Sequence, residues 1–509
     1  MAEIKIVEIP EGMPKGWDIA DAILVDGFTK SELCRFVEEN SKPVETEILL
    51  PQLFDKKSGK PNLNHSTMAQ LMKSRFGDRL RFDAQSRKWH IWNGKRFQKD
   101  EIGEIYDYAK STCKYVYDRA LEMAKNDNNP KDLFGIANYA ISAQNAKNIE
   151  DIIKMASKEK GIRIAHNDFD RNEFLFNLQN GTYDLEQDMF RGHLKSDNLT
   201  KIVDYEYNAD AECPFWEQAL EMIFNDDTKK IRFLQRFIGH CLTGSVDEQC
   251  LLFFYGKGKN GKSTITSLLE MMFGDYFRKA PADMLMFHTG TRISNDIASI
   301  AGTRLVVCDE VQDGIRLDEA RVKNLTGGDS ITARFLYHES FTFQPTHKLI
   351  MFGNHRPNIH GTDDGIWRRM VVVPFNVEIP EEKRIPMGKI KEILKNELSG
   401  IFNWALKGYR KYKSIGKLNP PKSIRDASFM YRIDSDTTRQ FLSQCCIESK
   451  LLKVKCKELY EEYRDWCICN NEFAPSYRAF NERLKEKGLS NKAGTGNLHY
   501  WVGVGLKRK

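Results

Sequence analysis

The sequence predicts an α/β protein built around a central, largely parallel sheet, and three observations predict it. Leu251–Tyr255, Leu305–Cys308 and Leu349–Phe352 are short runs that are apolar on both faces, as strands covered on each side must be. Turns and helical periodicity separate the runs. Directly after the first comes Gly256-Lys257-Gly258-Lys259-Asn260-Gly261-Lys262-Ser263, which opens a helical stretch over 263–272.

The remaining elements follow in chain order. Ile4, Ile6, Val7 and Ile9 form a strand-like run, followed by a loop that holds Asp18 and Asp21. Trp89-His90-Ile91-Trp92 alternates and ends at Asn93-Gly94, a strong hairpin signal. Residues 103–160 read as helices, with Tyr106, Ala109, Cys113, Val116 and Tyr117 at helical spacing. Asn180-Gly181 marks a turn between strand-like 174–176 and 183–185, and Cys213-Pro214 a boundary before helices at 215–243. Beyond residue 376 lies a basic helical stretch carrying Lys407, Arg410, Lys411, Lys413, Lys417, Lys422 and Arg425, interrupted at Pro420-Pro421. The end of the chain reads as three helices and a Gly-rich hairpin closing on Tyr500-Trp501-Val502.

Composition bounds the class. Of the 509 residues, 41% are hydrophobic and 29% charged, the balance of a globular chain with room for about three domains. No run approaches the roughly 18 apolar residues of a membrane span, and the N-terminus lacks the apolar core of a signal peptide. A cytoplasmic protein is therefore expected. The eleven cysteines are scattered; neither Cys445–Cys446 nor Cys467 with Cys469 has zinc-ligand spacing, so reduced thiols are expected. A formal charge of +6 permits a polyanionic partner without demanding one.

Chemistry concentrates in the middle of the chain. In a glycine-rich loop between strand and helix, backbone N–H groups can curl around phosphate oxygens, helped by the positive end of the helix. Lys262 would reach the β and γ phosphates of ATP, and the Ser263 hydroxyl would hold Mg²⁺. Gly256, Gly258 and Gly261 also satisfy the dinucleotide fingerprint, but that reading needs a second strand ending in an acid about 20 residues on. Asp275–Pro281 reads as no strand, and Lys262-Ser263 would go unused. Asp309 and Glu310 end the second apolar run, placed to hold the metal and to activate the attacking water. Asn354 ends the third, where an amide can bond the γ-phosphate or its water. Arg368 and Arg369 could stabilise charge on the transferred phosphoryl group, from the same subunit or a neighbouring one.

This order and spacing resemble the superfamily 3 helicases, a branch of the AAA+ ATPases found in viruses, phages and plasmids. The likeness spans residues 240–376. It rests on Leu242-Thr243-Gly244, Asn260-Gly261-Lys262-Ser263-Thr264, Lys323 with Thr326-Gly327-Gly328-Asp329, Ala333-Arg334, Gly353-Asn354-His355-Arg356-Pro357 and Trp367-Arg368-Arg369. Asn177, Asn180-Gly181, Asp184-Leu185 and His193 further resemble the domain preceding the motor in the phage- and poxvirus-type primase–helicases. The resemblance implies five segments: 1–45, similar to the tail of a toprim-like domain but without its acidic centre; 46–240, an α/β N-terminal domain; 241–385, an AAA+ P-loop motor; 386–433, a basic helical linker; and 434–509, a winged-helix domain. It also implies a hexameric ring drawing single-stranded DNA through its channel, with Asn354 as sensor and Arg368 or Arg369 as arginine finger. The family's DNA-contacting hairpin falls on Arg334, Tyr337 and His338, which supply a cation, a stacking face and an imidazole.

The expected function is thus ATP-dependent helicase action at replication forks of a phage or mobile element in a bacterial host. A separate primase or polymerase is a possible partner, and no membrane is involved. A second reading is an ATP-switched origin-binding loader, with Arg478, Asn481, Arg483 and Lys485 presented to duplex DNA and Phe480 and Leu484 facing the core. A third is a defence or signalling ATPase that does not unwind DNA.

Overall fold

The computed structural model describes residues 5–7, 41–43, 53–54, 58–288, 295–308, 314–337, 339–359, 361, 364–470, 472, 474–494 and 498–507. Asp18, Asp21, Asp309, Glu310 and His338 lie outside the described residues. The chain divides into two compact units, Met1–Trp92 with Phe97–His166, and Asn93–Arg96 with Asn167–Lys509. That division falls inside the 46–240 segment that the sequence reads as one domain.

The first unit runs β1 (Lys5–Val7), β2 (Ser41–Pro43), α1 (His65–Phe76), β3 (Leu80–Asp83), β4 (Lys88–Trp92), β5 (Phe97–Lys99), α2 (Ile105–Ala124), α3 (Lys131–Ser142), α4 (Ala146–Ala156) and β6 (Arg163–Ile164). The Asn93-Gly94 signal is met: β4 and β5 pair antiparallel, with Gly94 at φ 96°. The expected helix is present as α2, and Ala109, Cys113 and Val116 are fully buried in one core with Leu71, Ile136 and Ile152, whereas Tyr117 is half-buried and Tyr106 is exposed.

The principal elements of the second unit begin with β7 (Leu175–Leu178), β8 (Gly181–Asp184), β9 (Met189–Arg191), α5 (Pro214–Phe224), α6 (Thr228–Cys241), β10 (Leu251–Tyr255), α7 (Lys262–Phe273), β11 (Phe277–Ala280) and β12 (Leu305–Cys308). They continue with α8 (Glu319–Thr326), β13 (Ile331–Arg334), β14 (Ser340–Phe343), β15 (Lys348–Gly353), β16 (Met370–Pro374), α9 (Met387–Asn396), α10 (Leu398–Ile415) and α11 (Lys422–Asp434). Last come α12 (Thr437–Cys445), β17 (Cys446–Lys455), α13 (Cys456–Cys469), α14 (Tyr477–Glu486), β18 (Ser490–Ala493) and β19 (His499–Leu506).

Five strands form the central sheet in the order β11-β12-β15-β10-β16, every pairing parallel. Both faces are covered. Leu252, Phe254, Val307 and Ile350 enter one core, and Leu251, Phe253, Val306 and Leu349 the other. Burying each such side chain stabilises the fold by about 1.5–3 kcal/mol, which is why the three runs were legible as strands.

Two expectations are corrected. Residues 277–280 are a strand, β11, although the sequence reads Asp275–Pro281 as none. An edge strand has a single neighbour and tolerates charge, and Arg278 and Lys279 are exposed on it. This does not revive the dinucleotide reading, because β11 pairs with β12 rather than with β10 and ends in Ala280. In the C-terminal part, the three expected helices and the hairpin β18–β19 are present, but a ten-residue strand, β17, intervenes between the first two helices. Its register with β19 jumps between Glu448 and Lys453, so the sequence of β17 does not alternate cleanly.

Candidate active site

Strand β10 lies inside the sheet, yet the chain leaves it through α7 for the far edge, β11, and later adds β16 on its other side. Such a reversal of strand order opens a crevice at the carboxyl ends of the strands. The segment 256–261 sits there. Lys259 and Gly261 have φ of 63° and 85°, and Gly261 is the residue that precedes α7. A Cβ on Gly256 would overlap the carbonyl oxygen of Phe375, and one on Gly261 would overlap the side chain of Ile223. Gly258 is different: a Cβ there would meet nothing. Gly256→Ala and Gly261→Ala should therefore each lower stability by about 1–3 kcal/mol through overpacking. Gly258→Ala should stay within about 0.5 kcal/mol of the parent in a denaturant melt.

Polar side chains shape the loop from within. Asn260, 3% exposed, donates from Nδ2 to the carbonyl of Phe375 at 3.2 Å and to that of Lys257. Lys262, the first residue of α7, donates from Nζ to Asn354 Oδ1 at 3.1 Å, to the Lys257 carbonyl at 3.3 Å and to the Gly256 carbonyl. The cation and the amide expected to meet at one site are thus brought together, from β10–α7 and from the end of β15. Ser263 is exposed on the first turn of α7, whose N–H groups open toward the same space.

A cavity of about 410 Å³ adjoins the loop. One wall is polar: Gly258, Lys259, Asn260, Ser263, Thr264 and Asn354. The other is apolar, made by Phe215, Ala219 and Met222 of α5 with Ile379, Ile385, Met387 and Ile390, while Lys383 and Arg384 stand at its rim. The loop is tied to this wall, since Ile379 N–H donates to the Lys259 carbonyl at 2.9 Å. Sequence reasoning missed these residues. The 215, 219, 222 spacing is what any buried helix face shows, so nothing local marks it as a ligand wall.

The arginines go elsewhere. Arg368 and Arg369 precede β16, and Leu251 N–H donates to the Arg369 carbonyl, so both sit at the amino end of the sheet. The loop lies beyond the other end of β10, about 13 Å of strand away. The two side chains also differ. Arg369 is 8% exposed and donates to Thr326 Oγ1 (3.1 Å), the Gly365 carbonyl (2.7 Å) and Gln249 Oε1 (3.1 Å). Arg368 is exposed and bonds Gln249 Oε1. Within one chain neither reaches Lys262.

Other residues singled out by the sequence prove to be braces. Arg356 turns away from the cavity, stacks over Tyr255 at 4.6 Å and pairs with Asp434 at 2.8 Å. The Leu242 and Thr243 carbonyls accept from the buried cations Arg304 and Lys348, and burial pushes the Lys348 ammonium down to about 8. Asn177 Oδ1 meets His193 Nδ1 at 2.9 Å and accepts from Thr182 Oγ1 at 3.0 Å, knitting the β7–β8–β9 sheet. Asp184 Oδ1 accepts from the Glu186 and Gln187 N–H groups in the following turn.

The expected hairpin exists. Strands β13 and β14 pair from Ile331↔Phe343 to Arg334↔Ser340. Tyr337, at φ 63°, is 96% exposed in the connecting loop, and Phe335 stacks on Phe341 with ring centroids 5.7 Å apart.

Comparison with known proteins adds to this geometry. A protein-family model described as D5 N terminal like matches residues 69–225, and one described as a family of unknown function (DUF5906) matches residues 254–369. The chain is 27% identical over 329 residues to a protein provisionally named helicase L207/L206 of Acanthamoeba polyphaga mimivirus, covering 59% of this chain and 34% of that protein. It is 26% identical over 308 residues to one provisionally named helicase 022R of Frog virus 3, covering 55% and 31%. It is also 26% identical over 290 residues to the uncoating factor OPG117 of vaccinia virus, covering 50% and 37%. The chain thus spans about a third of the length of these relatives. Among solved structures it is similar to the NrS-1 C-terminal region, at 11% identity and TM-score 0.42, covering 87% of this chain and 100% of that one. Among the described residues no helix is long and apolar enough to cross a membrane.

Proposed function

Because the chain belongs to the phage- and poxvirus-type primase–helicase family, and the family matches are consistent with superfamily 3, we propose that it is an ATP-driven DNA helicase motor that works as a ring. The observation that carries the reading is the junction of Lys262 and Asn354 at 3.1 Å beside the 410 Å³ cavity. A P-loop AAA+ motor over 241–385 is supported by the parallel sheet with this loop at the carboxyl end of an inner strand. Three helices and the β17–β19–β18 sheet support a winged helix over 434–509.

On this reading ATP is the substrate, and the residues present fit it. The loop and the α7 N-terminus offer N–H donors to phosphates, Gly258 leaves room for them, and the apolar wall suits a base. Lys262 would exchange its carbonyl partners for phosphate oxygens while Asn354 holds the γ end. A Mg²⁺ bound with the nucleotide would neutralise phosphate charge. Ser263 would hold it together with Asp309, and Glu310 would act as base; both acids lie outside the described residues. Arg368, exposed and remote from its own loop, suits a role at the loop of an adjacent subunit, which favours a shared site in a ring.

The hairpin is the proposed grip on single-stranded DNA. Tyr337 offers a solvent-facing ring, and base stacking on such a ring contributes about 1–3 kcal/mol per base. The test is strand displacement on a forked duplex with ATP, for the parent and for Tyr337→Ala. We expect displacement by the parent, and at least a tenfold loss in the variant with basal ATPase retained. A parent that hydrolyses ATP in rings without displacing a strand would replace this reading with the loader or switch reading.

A further inference from the structure

The outward face of the C-terminal sheet carries a cluster of cations that the motor reading does not use. Strand β19 is the middle strand, and its register sets Lys455, Tyr500 and Lys492 side by side in one row, with Lys453, Val502 and Ser490 in another. The row between them, Val454, Trp501 and Asn491, points inward; Trp501 is fully buried, with Phe480 and Leu484 in the same core. Alternation along the strands therefore turns the two lysine rows to the opposite, solvent side. Lys453, Lys455 and Lys492 are all exposed. No carboxylate among the described residues forms an ion pair with any of them.

The helix expected to read duplex DNA is differently made. Asn481 Oδ1 on α14 is occupied by Trp501 Nε1 at 3.3 Å, and Arg478 pairs with Glu482 at 3.2 Å. Glu482 and Glu486 further dilute the positive charge of this helix. The sheet face is the more purely cationic of the two.

We propose that this sheet face, rather than α14, is a binding surface for the phosphate backbone of duplex DNA. Charge complementarity points to nucleic acid, and the state of Tyr500 points to duplex. Lys453 Nζ sits 5.4 Å over the centre of the Tyr500 ring, so this ring face is covered by a cation instead of being open to an unpaired base. Single-strand sites need open stacking faces, whereas duplex backbone binding needs cations alone and is sequence-independent. The chain would then hold parental duplex through its C-terminal sheet, a contact separate from the one proposed for the β13–β14 hairpin.

The test uses the full chain with a blunt 30-base-pair duplex (about 100 Å long) and a poly-dT single strand, by fluorescence anisotropy over a salt series. In Lys453→Gln/Lys455→Gln/Lys492→Gln, duplex affinity should fall at least tenfold, and the slope of log K against log salt should flatten by about 2–3, one contact per lysine. Poly-dT binding and basal ATPase should stay at the parent level. The matching triple Lys→Arg variant should retain duplex binding, which separates loss of charge from loss of fold. Unchanged duplex binding in the Gln variant, or a loss that appears instead in Arg478→Gln/Lys485→Gln, would overturn the proposal. So would an equal loss on poly-dT, or a parent chain that does not bind the duplex.

Discussion

Lys262→Ala is expected to bring ATP turnover at least 10³-fold below the parent, into background, in a protein that still folds. On the proposed reading the variant loses the cation that would meet the phosphates, and one lost electrostatic contact to a transition state already costs about 10²–10³ in rate. Lys262 is 6% exposed, and among its partners Asn354 Oδ1 and the Gly256 and Lys257 carbonyls are acceptors that cannot supply its charge. The fold should survive because Asn354 lines the cavity and Lys257 is exposed, so water can replace the ammonium there. Phosphate release measured on the purified variant, with a melt to show it is folded, checks this. Turnover within tenfold of the parent would remove the loop from the chemistry.

The second large effect separates two adjacent arginines. Arg368→Ala should leave stability within about 0.5 kcal/mol, as exposed sites do, yet lower ATP turnover by 10³-fold or more, the scale of an arginine finger. Arg369→Ala should instead destabilise the chain by about 1–3 kcal/mol, because the Gly365 carbonyl and the Thr326 hydroxyl lose a buried donor. Mixing the Arg368→Ala and Lys262→Ala variants should restore part of the turnover, since some junctions then pair an intact loop with an intact arginine. Verified mixed rings without any recovery would show that Arg368 does not act across the junction. A folded Arg369→Ala with normal stability would show that its bonds to Thr326, Gly365 and Gln249 are dispensable.

Much of the fold was legible because its cues are local. Strands β10, β12 and β15 are apolar on consecutive positions, and few environments other than the middle of a covered sheet accept that. Asn93-Gly94 lies where two strands turn back, and backbone preference acts over a few residues; the β13–β14 hairpin was placed by the resemblance and not by a local cue. Strand β11 was missed because its one neighbour asks for little apolar surface. Strand β17 was missed because its offset between Glu448 and Lys453 breaks the period of two. The cavity wall at Phe215, Ala219 and Met222 was unreadable in principle, since a helix face buried against protein and one facing a ligand carry the same pattern.

By itself, then, the sequence determined the element types of the core, the loop 256–263 between strand and helix, and the likeness of 240–376 to a helicase motor. All of these depend on neighbours within a few residues or on the order of motifs. Only the tertiary structure decided which of those motifs share a site. Lys262 and Asn354 meet because β10 and β15 are adjacent parallel strands, so residues 92 apart leave the sheet at the same end. Arg368 and Arg369, though only 14 and 15 residues beyond Asn354, return to the opposite end because β16 must run parallel to β10. Of these two neighbours one is buried and one exposed: both reach Gln249 Oε1, but only Arg369 also meets the Thr326 hydroxyl and the Gly365 carbonyl, contacts that chain neighbours alone do not reveal.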